Sequence, residues 1–238
     1  MKSRLKTCAF IFARGGSKGL PGKNILSIAG TPLVGHAVNI ARSLSDVDQV
    51  FVSTDSEEIA AVAKDYSALV IDRPASLASD TAPEWLAWQH AIDYVNSHYG
   101  EFDCFLSLPA TAPLRQKNDV QQCLNRFFIG DVDVVLTVTE ASRSPWFNMV
   151  KKSTNGIVNL VISNVENQPC RRQDAPQCYD LTTVAYACRP TFILEASSIW
   201  DGIVASVDIP MERSIDIDTA LDFAIACFLM EQWLPSHK

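Results

Sequence analysis

Thr7-Cys8-Ala9-Phe10-Ile11-Phe12-Ala13 runs without a break into Arg14-Gly15-Gly16-Ser17-Lys18-Gly19-Leu20-Pro21-Gly22-Lys23-Asn24. The first seven residues read as a buried strand. The next eleven combine four glycines with three cations, Arg14, Lys18 and Lys23. Glycine lets backbone N–H groups come close to an anion, and fixed positive charge holds it there. A loop of this make-up directly after a buried strand suits a polyphosphate. It matches neither GxxxxGK[ST] nor GxGxxG, so the two commonest phosphate loops are excluded.

Working outward, apolar runs recur at Cys8–Ala13, Gln49–Val52, Ala68–Ile71, Phe102–Leu108 and Val132–Val138. Helical periodicity lies between them, at about Val34–Ser43, Glu57–Lys64, Glu84–Ser97 and Asp119–Phe128. In the first helix Val34, Ala37, Val38 and Ala41 recur at steps of three and four. Such alternation predicts an α/β fold, a mostly parallel sheet with helices on both faces. Ligands bind such sheets at the carboxyl ends of strands, so the glycine loop, Ser53-Thr54-Asp55 and the Pro109–Arg115 loop should line one edge. The rhythm breaks after Val138. Residues 140 to about 190 are more polar, with Asn155-Gly156 as a hairpin turn and Val158, Leu160 and Ile162 alternating with polar neighbours. It resumes with a strand at Ile203–Ile209 and a helix from Thr219 to about Trp233.

A chain of 238 residues accommodates one sizeable domain. A net charge of −7 argues against bulk nucleic-acid binding. No apolar run reaches about 18 residues, which predicts no membrane span, and the run after the basic N-terminus stops at Arg14, as a first strand rather than a signal peptide. The seven cysteines are irregularly spaced without a CxxC pair, which predicts a reduced, cytoplasmic protein with no zinc site. Absence of GxSxG and HExxH disfavours a serine hydrolase or zinc protease.

Five segments together carry a resemblance: Arg14, Ser17–Pro21 and Lys23-Asn24; Val52–Asp55; Arg73-Pro74 with Leu77–Ala82; Thr111–Arg115; and Ser214–Thr219. In this order they are similar to the motifs of the acylneuraminate cytidylyltransferases, the CMP-sialic acid synthetases, from about Thr7 to Phe228. The resemblance implies a Rossmann-like nucleotidyltransferase sheet in a single domain, with residues 140–190 as a β-rich dimerisation insertion that completes a partner's site in a homodimer. It implies CTP and an α-keto sugar acid as substrates and Mg²⁺ as cofactor. By this likeness Arg14, Gly15, Ser17, Lys18, Lys23, Asn24, Arg73 and Ser79 bind the nucleotide, and Arg172, Gln173 and Tyr186 face the sugar acid. Lys23, Asp216 and Asp218 are catalytic, the two aspartates as metal ligands.

Read from the residues alone, several roles stay open. Asp216 and Asp218 share one face of an extended segment, suited to Mg²⁺, yet Asp218 also stands where a cap for the last helix belongs. Ser79, Asp80 and Thr81 suit helix capping as well as base contact. Arg115 suits holding its own loop. The pattern departs from the family at three places. Pro109 takes a glutamine's position, Thr182–Tyr186 replaces Asn-Gly-Ala-Ile-Tyr, and Pro83-Glu84 replaces serines. The first two fall on the sugar-acid side, so a legionaminic, pseudaminic or octulosonic acid is an alternative acceptor. The competing classes are a glycosyltransferase, which needs an Asp-x-Asp after a middle strand whereas Asp131-Val132-Asp133 opens one, and a catalytically inactive nucleotide-sensing dimer, against which Asp216, Asp218 and Lys23 speak.

Overall fold

The computed structural model describes residues 4–163 and 169–233. In chain order, β1 (Thr7–Phe12) leads through the short pair β2 (Ser27–Ile28) and β3 (Thr31–Pro32) into α1 (Leu33–Ser43). Then follow β4 (Gln49–Thr54), α2 (Glu57–Asp65), β5 (Leu69–Asp72), α3 (Glu84–Tyr99), β6 (Cys104–Ser107) and α4 (Lys117–Phe127). After β7 (Val134–Glu140) come β8 (Val150–Lys152), β9 (Val158–Leu160) and β10 (Tyr179–Cys188). The described chain ends with α5 (Pro190–Glu195), β11 (Val204–Asp208), α6 (Ala220–Phe228) and a π-helical turn over Leu229–Trp233.

Seven strands form the central sheet in the order β11-β7-β10-β6-β1-β4-β5. All neighbours pair in parallel except β10, which runs antiparallel between β6 and β7. Side chains of β1 alternate between two layers. Ala9 and Ile11 pack with α1, α2 and α4 on one face; Cys8 and Phe10 pack with α3 and α5 on the other. The second layer is aromatic. Phe10 stacks on Phe51 and Phe105 at 5.5 and 4.6 Å between ring centroids. Burying each such ring stabilises the fold by about 2–3 kcal/mol.

The predicted strands and helices all occur, with ends displaced by two residues at most apart from the last helix, as hydrogen-bonded boundaries usually are; that helix turns π-helical after Phe228. One element was missed. The sequence reading placed the whole of 140–190 outside the sheet, whereas Tyr179–Cys188 is a sheet strand. Its apolar part, Val184–Cys188, is short, and its outer half, Tyr179–Leu181, is exposed. The register shifts between Thr182 and Tyr186, a bulge of the kind that re-aims side chains. The hairpin at Asn155-Gly156 is present as β8 and β9, with Gly156 at φ 87°, where glycine is favoured. Among the described residues no helix is long and apolar enough to cross a membrane.

Candidate active site

The chain leaves β1 towards β4 on one side and returns to pair β6 on the other. The loops after β1 and β6 therefore diverge at the carboxyl ends of their strands, which opens a crevice. That crevice is a cleft of about 840 Å³; residues from four of the five motif segments border it, and Val52–Asp55 stands behind its wall, with Asp55 bonded to the Gly15 N–H.

On its floor lies the glycine and cation loop. Gly22, at φ 65°, turns the chain into a short 3₁₀ turn that begins at Lys23. Lys23 is nearly buried, and its Nζ donates to the Ile217 carbonyl at 2.6 Å and to Asp218 Oδ1 at 2.9 Å. Gly19 packs directly on this partner segment. A Cβ added there would stand 2.4 Å from the Asp218 carbonyl oxygen, so only glycine fits. Arg14 and Lys18 both pair with Asp80, at 2.9 and 2.6 Å. The two cations hold the Asp80 carboxyl below the usual carboxylate range, the Lys18 hydrogen bond being the larger cause. Ser17 also borders the cleft, whereas the Gly15 N–H is turned to Asp55 Oδ1 at 2.9 Å.

Facing the loop is Ser214–Thr219. Ile217 is fully buried, and its N–H donates to Thr111 O at 2.9 Å. Asp216 and Asp218 flank it and both reach the cleft. Thr219, not Asp218, caps α6, sharing a reciprocal capping box with Asp222. Asp218 is therefore free of the capping role that the sequence left open. Upstream, Arg213 makes a two-pronged ion pair with buried Asp119 at 2.9 and 2.8 Å. Asp119 also accepts from the Gln116 N–H at the start of α4. Burial pushes the Asp216 carboxyl above its ordinary range, opposed by a hydrogen bond from Thr111. Asp216 Oδ1 is buried with no hydrogen-bond partner among the described residues. An orphaned carboxylate oxygen beside a second carboxylate fits a hard cation such as Mg²⁺. No cluster of three or more His, Cys, Asp or Glu exists among the described residues. The donor set is thus that of an ion whose remaining ligands come from substrate phosphates and water.

On an adjoining wall, Arg73 is buried, lies 5.4 Å over the Phe12 ring, and donates to Ser53 Oγ and Ser53 O at 3.2 and 2.7 Å. Asn24, also buried, donates to Arg14 O at 3.0 Å, and Ser79 borders the same cleft. Tyr186 enters from β10; burial raises its hydroxyl pKa. Arg115 donates to Pro109 O and Thr183 O and so holds its loop; burial pushes its guanidinium down to about 9. Arg172 and Gln173 are not in this cleft. They border a second pocket of about 480 Å³ with Glu140 and Arg143, and Arg172 donates to Ala141 O at 3.0 Å. The Asp131-Val132-Asp133 carboxylates pair with Arg126 and Arg189, away from the cleft. Sequence reasoning missed the pairing of Asp80 with two loop cations, the Arg213–Asp119 anchor, and Glu84, Trp85 and Trp88 on the cleft wall. Glu84 had been noted as a departure from the family pattern, which was the available signal.

The family model described as Cytidylyltransferase matches residues 8–140. CMP-N,N'-diacetyllegionaminic acid synthase of Campylobacter jejuni is 32% identical over 222 residues, 92% of this chain and 93% of that protein. N-acylneuraminate cytidylyltransferase B of Danio rerio is 32% identical over 219 residues, 92% of this chain and 50% of that longer protein. A CMP:2-keto-3-deoxy-manno-octonic acid synthetase solved with CTP shares the fold, with a TM-score of 0.72 at 18% identity over 95% of this chain and 99% of that one. A family model over more than half of the chain, and a relative matched along nearly its whole length, agree with the five motif segments, four of which meet in one cleft: the chain belongs to the acylneuraminate cytidylyltransferase family of nucleotidyltransferases.

Proposed function

We propose that the protein transfers CMP from CTP to the anomeric hydroxyl of a sialic acid or related α-keto sugar acid and releases pyrophosphate. The observation that carries this reading is the meeting of Lys23 with the Ile217–Asp218 segment in one cleft, beside Arg14 and Lys18. The hydroxyl oxygen bonds to the α-phosphorus, the bond to the β-phosphate oxygen breaks, and the hydroxyl proton is lost. Such a transfer depends mainly on positioning and on neutralising phosphate charge. Arg14, Lys18 and Lys23 bind the triphosphate, and the incoming anion takes the place of Asp80 on the first two. Asp216 and Asp218 hold Mg²⁺, which when bound neutralises phosphate oxygens and lowers the pKa of the attacking hydroxyl. Asn24, Arg73 and Ser79 orient the nucleoside, and Tyr186 lines the acceptor end.

The reading includes a cytoplasmic homodimer. Its support is the exposed apolar surface of Val150, Ile157 and Val158 on the β8–β9 ribbon, and a second pocket that holds Arg172 and Gln173 away from the chain's own cleft. In a dimer, Arg172 and Gln173 meet the acceptor carboxylate in the partner's cleft, where guanidinium donates two parallel hydrogen bonds. Cys8 and Cys123 are buried thiols that burial pushes up to about 12, unreactive as a reduced compartment permits. Pyrophosphate release with CTP, Mg²⁺ and a panel of sialic, legionaminic, pseudaminic and octulosonic acids tests the reading. Release above background with at least one acid is expected; none with any acid refutes it.

A further inference from the structure

Trp85, Trp88 and Tyr186 stand ring against ring along one wall of the cleft, with centroids 5.5 Å apart for the indoles and 5.7 Å for Trp88–Tyr186. Both indole N–H groups are committed. Trp85 Nε1 donates to Ala196 O at 2.9 Å and Trp88 Nε1 to Glu84 Oε1 at 3.3 Å. Trp88 and Tyr186 are buried, so the partly open Trp85 ring carries most of the aromatic surface the wall offers, and it offers no hydrogen-bond donor.

Glu84, the first residue of α3, opens into the cleft beside this wall. The other acids there have partners or another task. Asp80 is paired with Arg14 and Lys18, Asp218 with Lys23, and Asp216 lies at the metal end. Glu84 makes no ion pair among the described residues. Arg73 acts on it electrostatically, but the Arg73 Nε and one terminal nitrogen are bonded to Ser53. Lone pairs on Glu84 thus remain open to a ligand.

Two departures from the family pattern meet here. Pro109, which stands where the family has a glutamine, borders the cleft, and Glu84 stands where the family has a serine. An amide is lost and a negative charge gained within one cleft. A carboxylate backed by aromatic rings is the chemistry that holds a nitrogen cation.

We propose that Glu84 is a specificity-determining residue that selects a sugar acid carrying a positively charged nitrogen substituent, an amine or an amidine, seated against its carboxylate at the edge of the aromatic wall. This rests on the reading of the cleft as a cytidylyltransferase site. The test uses acceptors that differ only at one nitrogen: acetamido, free amine and acetamidino forms of the same acid. Each is assayed for pyrophosphate release with the wild type and with Glu84→Gln, which keeps an acceptor for Trp88. The wild type should favour a cationic form over the neutral one by about 10-fold in kcat/KM. Glu84→Gln should abolish that preference and leave the KM for CTP unchanged. The separate amine and amidine arms identify which cation is taken.

A wild type that prefers the neutral form, with a ratio unmoved by Glu84→Gln, overturns the proposal and leaves cytidylyl transfer standing. So does a change confined to the KM for CTP, which would assign Glu84 to the nucleotide. No turnover with any form, together with no calorimetric binding of CTP, overturns both readings.

Discussion

Replacing Gly19 by alanine tests the contact between the glycine loop and the Ser214–Thr219 segment proposed to hold the metal. The added methyl would stand 2.4 Å from the Asp218 carbonyl oxygen, where ordinary contact begins at 3.4 Å. About 1 Å of separation must therefore be found. The oxygen belongs to backbone and its segment is held on both sides, by Ile217 N–H on Thr111 O, by the Arg213–Asp119 pair and by the Thr219 capping box. The loop is the softer partner, and moving it displaces Lys18 and Lys23 from the phosphates they hold. A 1 Å misplacement of positioning groups costs about 10²-fold in rate, or about 2.7 kcal/mol of barrier. Folding should lose less. Overpacking costs about 1–3 kcal/mol, and at this chain length each kcal/mol lowers the melting temperature by about 2–4 °C. Steady-state pyrophosphate release at saturating CTP, acid and Mg²⁺, beside a thermal melt, separates the two effects. A Gly19→Ala enzyme within threefold of wild-type kcat, with an unchanged melting temperature, would show that loop and segment are not in the contact described.

Asp218→Asn keeps the shape but removes one carboxylate charge beside Asp216; kcat should fall by at least about 10²-fold while the melting temperature holds, and near-wild-type turnover in saturating Mg²⁺ would discard the ligand role. Arg213→Ala leaves Asp119 as a buried carboxylate with only the Gln116 N–H on it. The loss should be about 3 kcal/mol, seen as a fall of about 6–12 °C in melting temperature; a shift under 2 °C would show that the pair does not anchor the segment. For the assembly, light scattering at micromolar concentration should give about twice the chain mass, and a fully active monomer would end the shared-site idea.

What could be read from the sequence was what is local. The step of three and four in Val34, Ala37, Val38 and Ala41 marked a buried helix face, and all four are buried in α1. The strand into a glycine and cation loop placed that loop correctly at a carboxyl edge of the sheet. What resisted reading was non-local. β10 lies in the sheet because β6 and β7 leave a slot between them, which nothing within Tyr179–Cys188 announces. Asp80 looked like a capping residue because its partners, Arg14 and Lys18, lie more than sixty residues upstream. Arg213 and Asp119 are 94 residues apart, and neither residue type predicts burial without its partner. Arg172 and Gln173 were chosen by resemblance, and in a single chain they stand apart from Tyr186.

The bonds from Lys23 to the Ile217 carbonyl and to the Asp218 carboxylate span 194 and 195 residues. A ribosome adding about 5–20 residues per second needs roughly 10–40 s to bridge that interval. Over this period the nascent chain exposes Lys23 and the glycine loop without the acids that complete the centre. Closing so long a loop is also entropically slow compared with forming local helices. This contact is therefore one of the last the chain can make as it folds, and synthesis halted before residue 218 leaves the glycine loop without the segment it packs on.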